Sequence, residues 1–135
     1  VVVITNQSGI ARGLFDVDTL SRIHSKMRRM VSQLGGKLEA VIYCPHGPDD
    51  GCDCRKPLAG AFNEMANRLR IDLKNVPAVG DSLRDLQAAQ SVGAKPILVK
   101  TGKGLGTLED PSLPKGIPVY ENLADAVDAL LETKI

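Results

Sequence analysis

Between positions 44 and 54 the chain gathers its three cysteines and one of its two histidines: Cys44-Pro45-His46, five residues, then Cys52-Asp53-Cys54. Three thiolates and one imidazole complete a tetrahedral shell for Zn²⁺ and leave no position open for a reacting water, so the metal they suit is structural. The alternative is three ordinary buried thiols beside an unrelated histidine. A loop of Pro, Gly and Asp offers too little apolar surface to bury thiols by packing alone, which favours the metal. The odd cysteine count, crowded into one loop, also fits metal binding in a reducing compartment better than a disulfide framework. Zinc would then order the loop, and chelation would loosen it.

Three other clusters could handle a phosphoryl group. Arg55-Lys56-Pro57 follows the last proposed ligand; Lys56 could serve as a point charge and Arg55 as a fork for a second anionic group. Taken alone, such a pair is better read as solvated surface charge. Thr5-Asn6-Gln7-Ser8-Gly9 offers hydroxyl, amide and backbone donors suited to phosphate oxygens, although the same residue types also make ordinary turns. Val79-Gly80-Asp81-Ser82-Leu83-Arg84-Asp85 sets two carboxylates four residues apart. Asp81 could hold Mg²⁺, a cation that prefers oxygen, or could simply cap the helix that follows. Asp85 could support the loop or pair with Lys56. Gly102-Lys103-Gly104-Leu105-Gly106 does not match P-loop spacing and reads as flexible connection. His24, inside a helical pattern, reads as a surface or packing residue.

These clusters need elements to hold them. Val1–Thr5 is a β-branched run that reads as a central strand. Asp18 or Thr19 can cap a helix with Leu20, Ile23, Met27, Met30, Val31 and Leu34 at helical spacing, stopped by Gly35 and Gly36. Leu38–Tyr43 reads as a strand, Leu58–Leu69 as an amphipathic helix begun by Pro57, Val76–Val79 as a strand, Leu83–Val92 as a helix and Pro96–Val99 as a strand. Thr101–Gly116 is the expected mobile loop. Val119 and Tyr120 precede a last helix capped by Asn122. Strands alternating with helices predict an α/β fold: a Rossmann-like parallel sheet with helices on both faces, whose ligands bind beyond the carboxyl ends of the strands. The motifs after Ile4, Tyr43 and Val79 all follow strand ends.

A chain of 135 residues with 43% hydrophobic content can bury one core, so a single domain over 1–135 is expected, with 44–54 as a zinc-binding loop within it. Basic and acidic residues nearly cancel, 17 against 16, and no basic run could track a nucleic-acid backbone. The expected partner is therefore a small molecule. Val1–Ile4 is far too short an apolar run to cross a membrane, and it lacks the basic n-region of a signal peptide. A soluble, cytoplasmic monomer is expected.

The ordered set of a strand ending in Thr5-Asn6, then Lys56, then Gly80-Asp81 with Asp85, resembles motifs II, III and IV of the haloacid dehalogenase superfamily. Thr5 to Gly13 and Cys44 to Pro57 are similar to its zinc-containing heptose bisphosphate phosphatases, and the similarity covers nearly the whole chain. The resemblance implies a haloacid dehalogenase core without a large cap domain. It implies a Mg²⁺-dependent phosphatase that passes a phosphoryl group through an aspartate to water, with structural Zn²⁺ on Cys44, His46, Cys52 and Cys54. The substrate would be heptose 1,7-bisphosphate, losing its C7 phosphate on the route to lipopolysaccharide. Thr5 and Lys56 would act at the transferring group; Asn6, Gln7, Ser8, Arg55 and Ser82 would join them in binding substrate; Asp81 would hold Mg²⁺. In the superfamily the nucleophile comes from a strand followed by Asp-x-Asp. Here that strand is expected upstream of Val1, because Asp16-Val17-Asp18 leads into a helix instead. The chain as given is expected to bind zinc and to catalyse poorly.

Two other readings compete. Histidinol phosphatase shares the zinc loop and mechanism, but the Ser8-Gly9-Ile10-Ala11-Arg12-Gly13 continuation favours the heptose enzymes. A zinc-stabilised scaffold without catalysis would have no need for Thr5, Lys56 and Asp81 together.

Overall fold

The structure is a computed structural model that describes residues 1–47 and 49–132. Pro48, inside the expected zinc loop, and the last three residues of the expected domain lie outside the described residues. The chain forms two compact units, residues 1–55 with 60–69, and residues 56–59 with 70 onward.

In the first unit, β1 (Val2–Asn6) runs parallel to β2 (Ala40–Cys44), with Ile4 opposite Ile42 and Asn6 opposite Cys44. All five residues of β1 are half-buried, whereas β2 alternates, with Ala40, Ile42 and Cys44 inside. Cys44 is thus anchored by the core at the carboxyl end of a strand, where the chain turns out into the metal loop. Between the strands lies α1 (Val17–Gln33). Its N-cap is Asp16, not Asp18 or Thr19: the Asp16 carboxylate accepts a hydrogen bond of 2.8 Å from the Thr19 N–H. The capping oxygen must sit before the first helical residue to reach the amide two or three positions on, and Asp16 satisfies that geometry.

The inward stripe of α1 is Leu20, His24, Met27 and Val31, spaced four, three and four apart, with Leu20 buried and the others half-buried. Ile23, Met30 and Leu34 occupy a neighbouring stripe and are exposed. The six apolar positions expected to form one face therefore belong to two. α2 (Gly60–Leu69) lies against β2 and buries Ala61, Phe62 and Met65. It begins at Gly60, later than Pro57. Gly60 sits where an added Cβ would collide with the Asp53 carbonyl, and its N–H donates to that carbonyl at 2.8 Å. This contact ties the end of the metal loop to the first turn of α2.

The second unit is a three-stranded parallel sheet in the order β3 (Pro77–Gly80), β4 (Lys95–Val99), β5 (Val119–Tyr120). α3 (Leu83–Ser91) covers β3 and β4 through the buried Leu86, Ala88 and Ala89. α5 (Leu123–Glu132) packs Ala126 and Leu130 against Ile97 and Val99. The Asn122 side chain accepts from the Asp125 N–H at 2.8 Å, as its position before the helix predicts. The expected mobile segment after β4 instead contains a short helix, α4 (Gly104–Leu108). Its period is too brief to stand out in sequence, and it is held by tertiary contacts described below.

Candidate active site and metal centre

In the first unit, the four proposed zinc ligands converge. One donor atom from each of Cys44, His46, Cys52 and Cys54 lies within 4.8 Å of all the others. Cys44 Sγ is 3.6 Å from Cys52 Sγ and 3.6 Å from His46 Nδ1, and Cys54 Sγ is 3.4 Å from the same nitrogen. The edges of a tetrahedral zinc shell are about 3.8 Å between sulfurs and about 3.5 Å between sulfur and nitrogen, so the cluster fits that ion. Among the described residues no other group of three or more Cys, His, Asp or Glu is disposed to hold a metal.

The electrostatics of the bare cluster point the same way. Burial works against ionising Cys52, but the Arg55 backbone N–H and bonds from Cys44, Cys54 and His46 bring its pKa down to about 7. Burial and the neighbouring Cys44 and Cys52 sulfurs push Cys54 up to about 12. Three adjoining thiols cannot all ionise without a cation to offset the charge, and Zn²⁺ would supply it.

The segment after β1 is fastened to this loop. Gln7 N–H donates to the Cys44 carbonyl at 2.7 Å and Ala11 N–H to the Pro45 carbonyl at 3.2 Å. Thr5, at the carboxyl end of β1, accepts from the Gln7 side-chain amide at 3.1 Å. Ser8 Oγ accepts from Arg12 at 3.2 Å. Arg55 donates to the His46 carbonyl at 3.4 Å. Thr5, Asn6, Gln7, Ser8 and Arg55 thus share one unit with the metal loop, and Gln7 and Arg55 are oriented by it.

In the second unit, Lys56, Asp81, Ser82 and Asp85 come together. Lys56 Nζ is 2.5 Å from Asp85 Oδ1, with both side chains largely buried. Asp85 Oδ2 accepts from the N–H groups of Asp81 and Ser82, each at 3.2 Å. Burial raises the affinity of Asp85 for a proton, but the Lys56 ammonium and the Ser82 bonds outweigh it and hold the carboxyl below its ordinary range. Asp85 therefore takes both roles open to it, pairing with Lys56 and supporting the loop. Ser82, rather than Asp81, is the N-cap of α3; its Oγ accepts from the Asp85 N–H at 3.4 Å, closing a capping box. The Ser82 hydroxyl oxygen accepts in the cap, which does not use the hydroxyl proton, and Asp81 is released from that duty.

Asp81 is held from the far side by residues that read as flexible connection in the sequence. Lys103 N–H donates to Asp81 Oδ2 at 2.8 Å, and Thr107 Oγ1 donates to the Asp81 carbonyl at 2.8 Å. The sequence carried one usable signal: glycines at 102 and 104 after a strand mark a tight turn beside whatever the strand end holds. His24 is a packing residue, half-buried, with its ring 5.7 Å from that of Tyr43. Burial and the nearby Arg28 lower its pKa. Asp16 and Asp18 lie at the start of α1, so the chain's one Asp-x-Asp does not follow a strand.

Comparison with known proteins accounts for this combination. Residues 53–126 match the family model for HAD-hydrolase-like proteins. The chain is 57% identical over 132 residues to D-glycero-beta-D-manno-heptose-1,7-bisphosphate 7-phosphatase of Bordetella bronchiseptica, an alignment covering 98% of this chain and 74% of the relative. It is 48% identical to the enzyme of the same name from Pseudomonas aeruginosa, with the same coverage. Among solved structures, the D,D-heptose 1,7-bisphosphate phosphatase of B. bronchiseptica, complexed with magnesium and phosphate, superposes with a TM-score of 0.94 at 56% identity, covering 98% of this chain and 74% of that one. The corresponding protein of Burkholderia thailandensis gives a TM-score of 0.74 at 42% identity, covering 96% and 74%. The chain belongs to the D,D-heptose 1,7-bisphosphate phosphatase family of HAD-like hydrolases.

Proposed function

We propose that the protein is a Mg²⁺-dependent phosphoric monoester hydrolase that removes the C7 phosphate of D-glycero-D-manno-heptose 1,7-bisphosphate, in the β anomer for which its relatives are named. The observation that carries the proposal is high identity to enzymes of that one activity along nearly the whole chain. The buried Lys56–Asp85 pair beside Asp81 supports it.

The family chemistry passes the phosphoryl group to an aspartate and then to water, so charge on the transferring oxygens must be offset at each stage. Lys56 supplies a fixed positive charge for them, and Asp85 holds its ammonium in place. Thr5 donates a hydrogen bond to the transferring group; Asn6, Gln7, Ser8 and Ser82 contribute donors to substrate, and Arg55 binds its second phosphate or its sugar. Asp81 commits Oδ2 to the Lys103 N–H, which leaves Oδ1 as the oxygen to offer Mg²⁺. Bound there, Mg²⁺ would neutralise phosphate charge. Asp85 is not a metal ligand in this scheme, because its oxygens are taken by Lys56 and two amides. Zn²⁺ on Cys44, His46, Cys52 and Cys54 would fix the loop that carries Arg55 and the segment that follows Thr5. No helix among the described residues is long and apolar enough to cross a membrane, which suits a cytoplasmic enzyme acting on a soluble phosphosugar, and we propose a monomer.

The test is phosphate release by the gene product that carries these residues, with heptose 1,7-bisphosphate and histidinol phosphate offered separately, with and without Mg²⁺. The bisphosphate should be strongly preferred, and activity should vanish on Mg²⁺ removal while zinc stays bound. Preference for histidinol phosphate, or full activity without Mg²⁺, would overturn the proposal.

A further inference from the structure

Asp81 is gripped at two points by the segment after β4, and both grips come from residues outside the motifs that carry the family resemblance. The first grip is on the carboxylate. The turn from Thr101 to Gly104, closed by the Gly104 N–H on the Thr101 carbonyl at 2.9 Å, delivers the Lys103 N–H to Asp81 Oδ2 at 2.8 Å. Gly102 lies in that turn with φ +57, and a Cβ there would run into Asp81 Oδ2. Only glycine combines that backbone angle with so close an approach to the carboxylate. The second grip is on the main chain. Thr107 is buried, 8% exposed. Its hydroxyl donates to the Asp81 carbonyl at 2.8 Å and also lies 3.2 Å from the Lys103 carbonyl of its own helix.

We propose that Gly102 and Thr107 are positioning residues for Asp81, orienting its carboxylate for the divalent cation and so setting metal affinity; the inference rests on the proposed role of Asp81 in holding Mg²⁺. Without the Thr107 bond, the Asp81 main chain could turn at the strand end. Without the glycine, the carboxylate would be pushed off the Lys103 amide and away from its oriented position. Groups that orient a metal ligand are felt mainly in affinity for the metal, typically about tenfold or more on removal.

The experiment is direct titration with Mn²⁺ followed by electron paramagnetic resonance, using the gene product that carries these residues as wild type, Asp81→Asn, Thr107→Val, Thr107→Ser and Gly102→Ala. Asp81→Asn should abolish the binding. Thr107→Val keeps the side-chain shape and removes the hydroxyl; it should weaken Mn²⁺ binding about tenfold, and Thr107→Ser should restore it. Gly102→Ala tests the other grip without touching the Thr107 bond and should weaken binding at least as much, which keeps the inference testable if Thr107→Val does not fold. A merely structural role for Thr107 would lower the melting temperature without moving the Mn²⁺ midpoint, and that result would overturn the inference while leaving Asp81 as a ligand. Unchanged binding in Asp81→Asn would overturn the ligand assignment itself and the inference with it.

Discussion

The Lys56–Asp85 pair makes a prediction through pH. The Asp85 carboxyl is held below its ordinary range, so the folded protein resists protonating it more than the unfolded chain does. Its contribution to stability is therefore complete above the ordinary carboxylate pKa of about 4 and is lost as pH falls through the lower, folded value. Asp85→Asn should flatten the acid side of a melting-temperature curve recorded from pH 7 to pH 3; a curve merely shifted down in parallel would contradict the assignment. Lys56→Met leaves the Asp85 charge largely buried and unmatched, which costs about 3 kcal/mol. The double variant Lys56→Met/Asp85→Asn should recover most of that stability. It should not recover phosphatase activity, which is expected to fall by about 10²-fold or more for loss of a positive charge on the transferring group. Recovery of activity with stability would mean that Lys56 serves only the fold.

The metal loop is stabilised at both ends by ordered elements, with Cys44 at the end of β2 and Gly60 seated on the Asp53 carbonyl at the start of α2. The Gln7 and Ala11 amides join it to the segment after β1. Cys54→Ser should abolish stoichiometric zinc. Hydrogen exchange should then speed up at residues 7–11 as well as 44–55, while α3 and β4 stay protected. Faster exchange confined to 49–54 would contradict the link between the loop and the Thr5 segment. At this scale the sequence was readable where a physical pattern is local. The Cys and His donors of the 44–54 loop converge, and the β-branched strands and the Asn122 cap form where local pattern placed them. The patterns that misled were those decided by three-dimensional neighbours. Ile23, Met30 and Leu34 share helical periodicity with Leu20 but not its stripe. Gly102–Gly106 looked like loose connection because Asp81, the partner of Lys103, lies 22 residues earlier in sequence and only folding brings them together. The expected helix start at Leu83 was right and already set Ser82, not Asp81, immediately before the first helical residue, so here the cap was misassigned although the sequence showed it.

For the molecule as a whole, the first of the three points at which the chain passes from one unit to the other falls between Arg55 and Lys56. Two adjacent cations that look like one clamp in sequence are thus directed differently, Arg55 to the His46 carbonyl and Lys56 to Asp85. The different direction of Lys56 was not legible in the sequence, because its partner Asp85 lies 29 positions away. The near balance of charge, +1 overall, suits a small anionic substrate bound by placed groups rather than a polyanion held by a broad field. Which bond the enzyme breaks is observed directly by ³¹P NMR of the reaction with heptose 1,7-bisphosphate and Mg²⁺. The C7 phosphomonoester signal should decay into inorganic phosphate while the anomeric C1 phosphate remains. Loss of the C1 signal first, or retention of both signals by the zinc- and Mg²⁺-loaded gene product, would contradict the account.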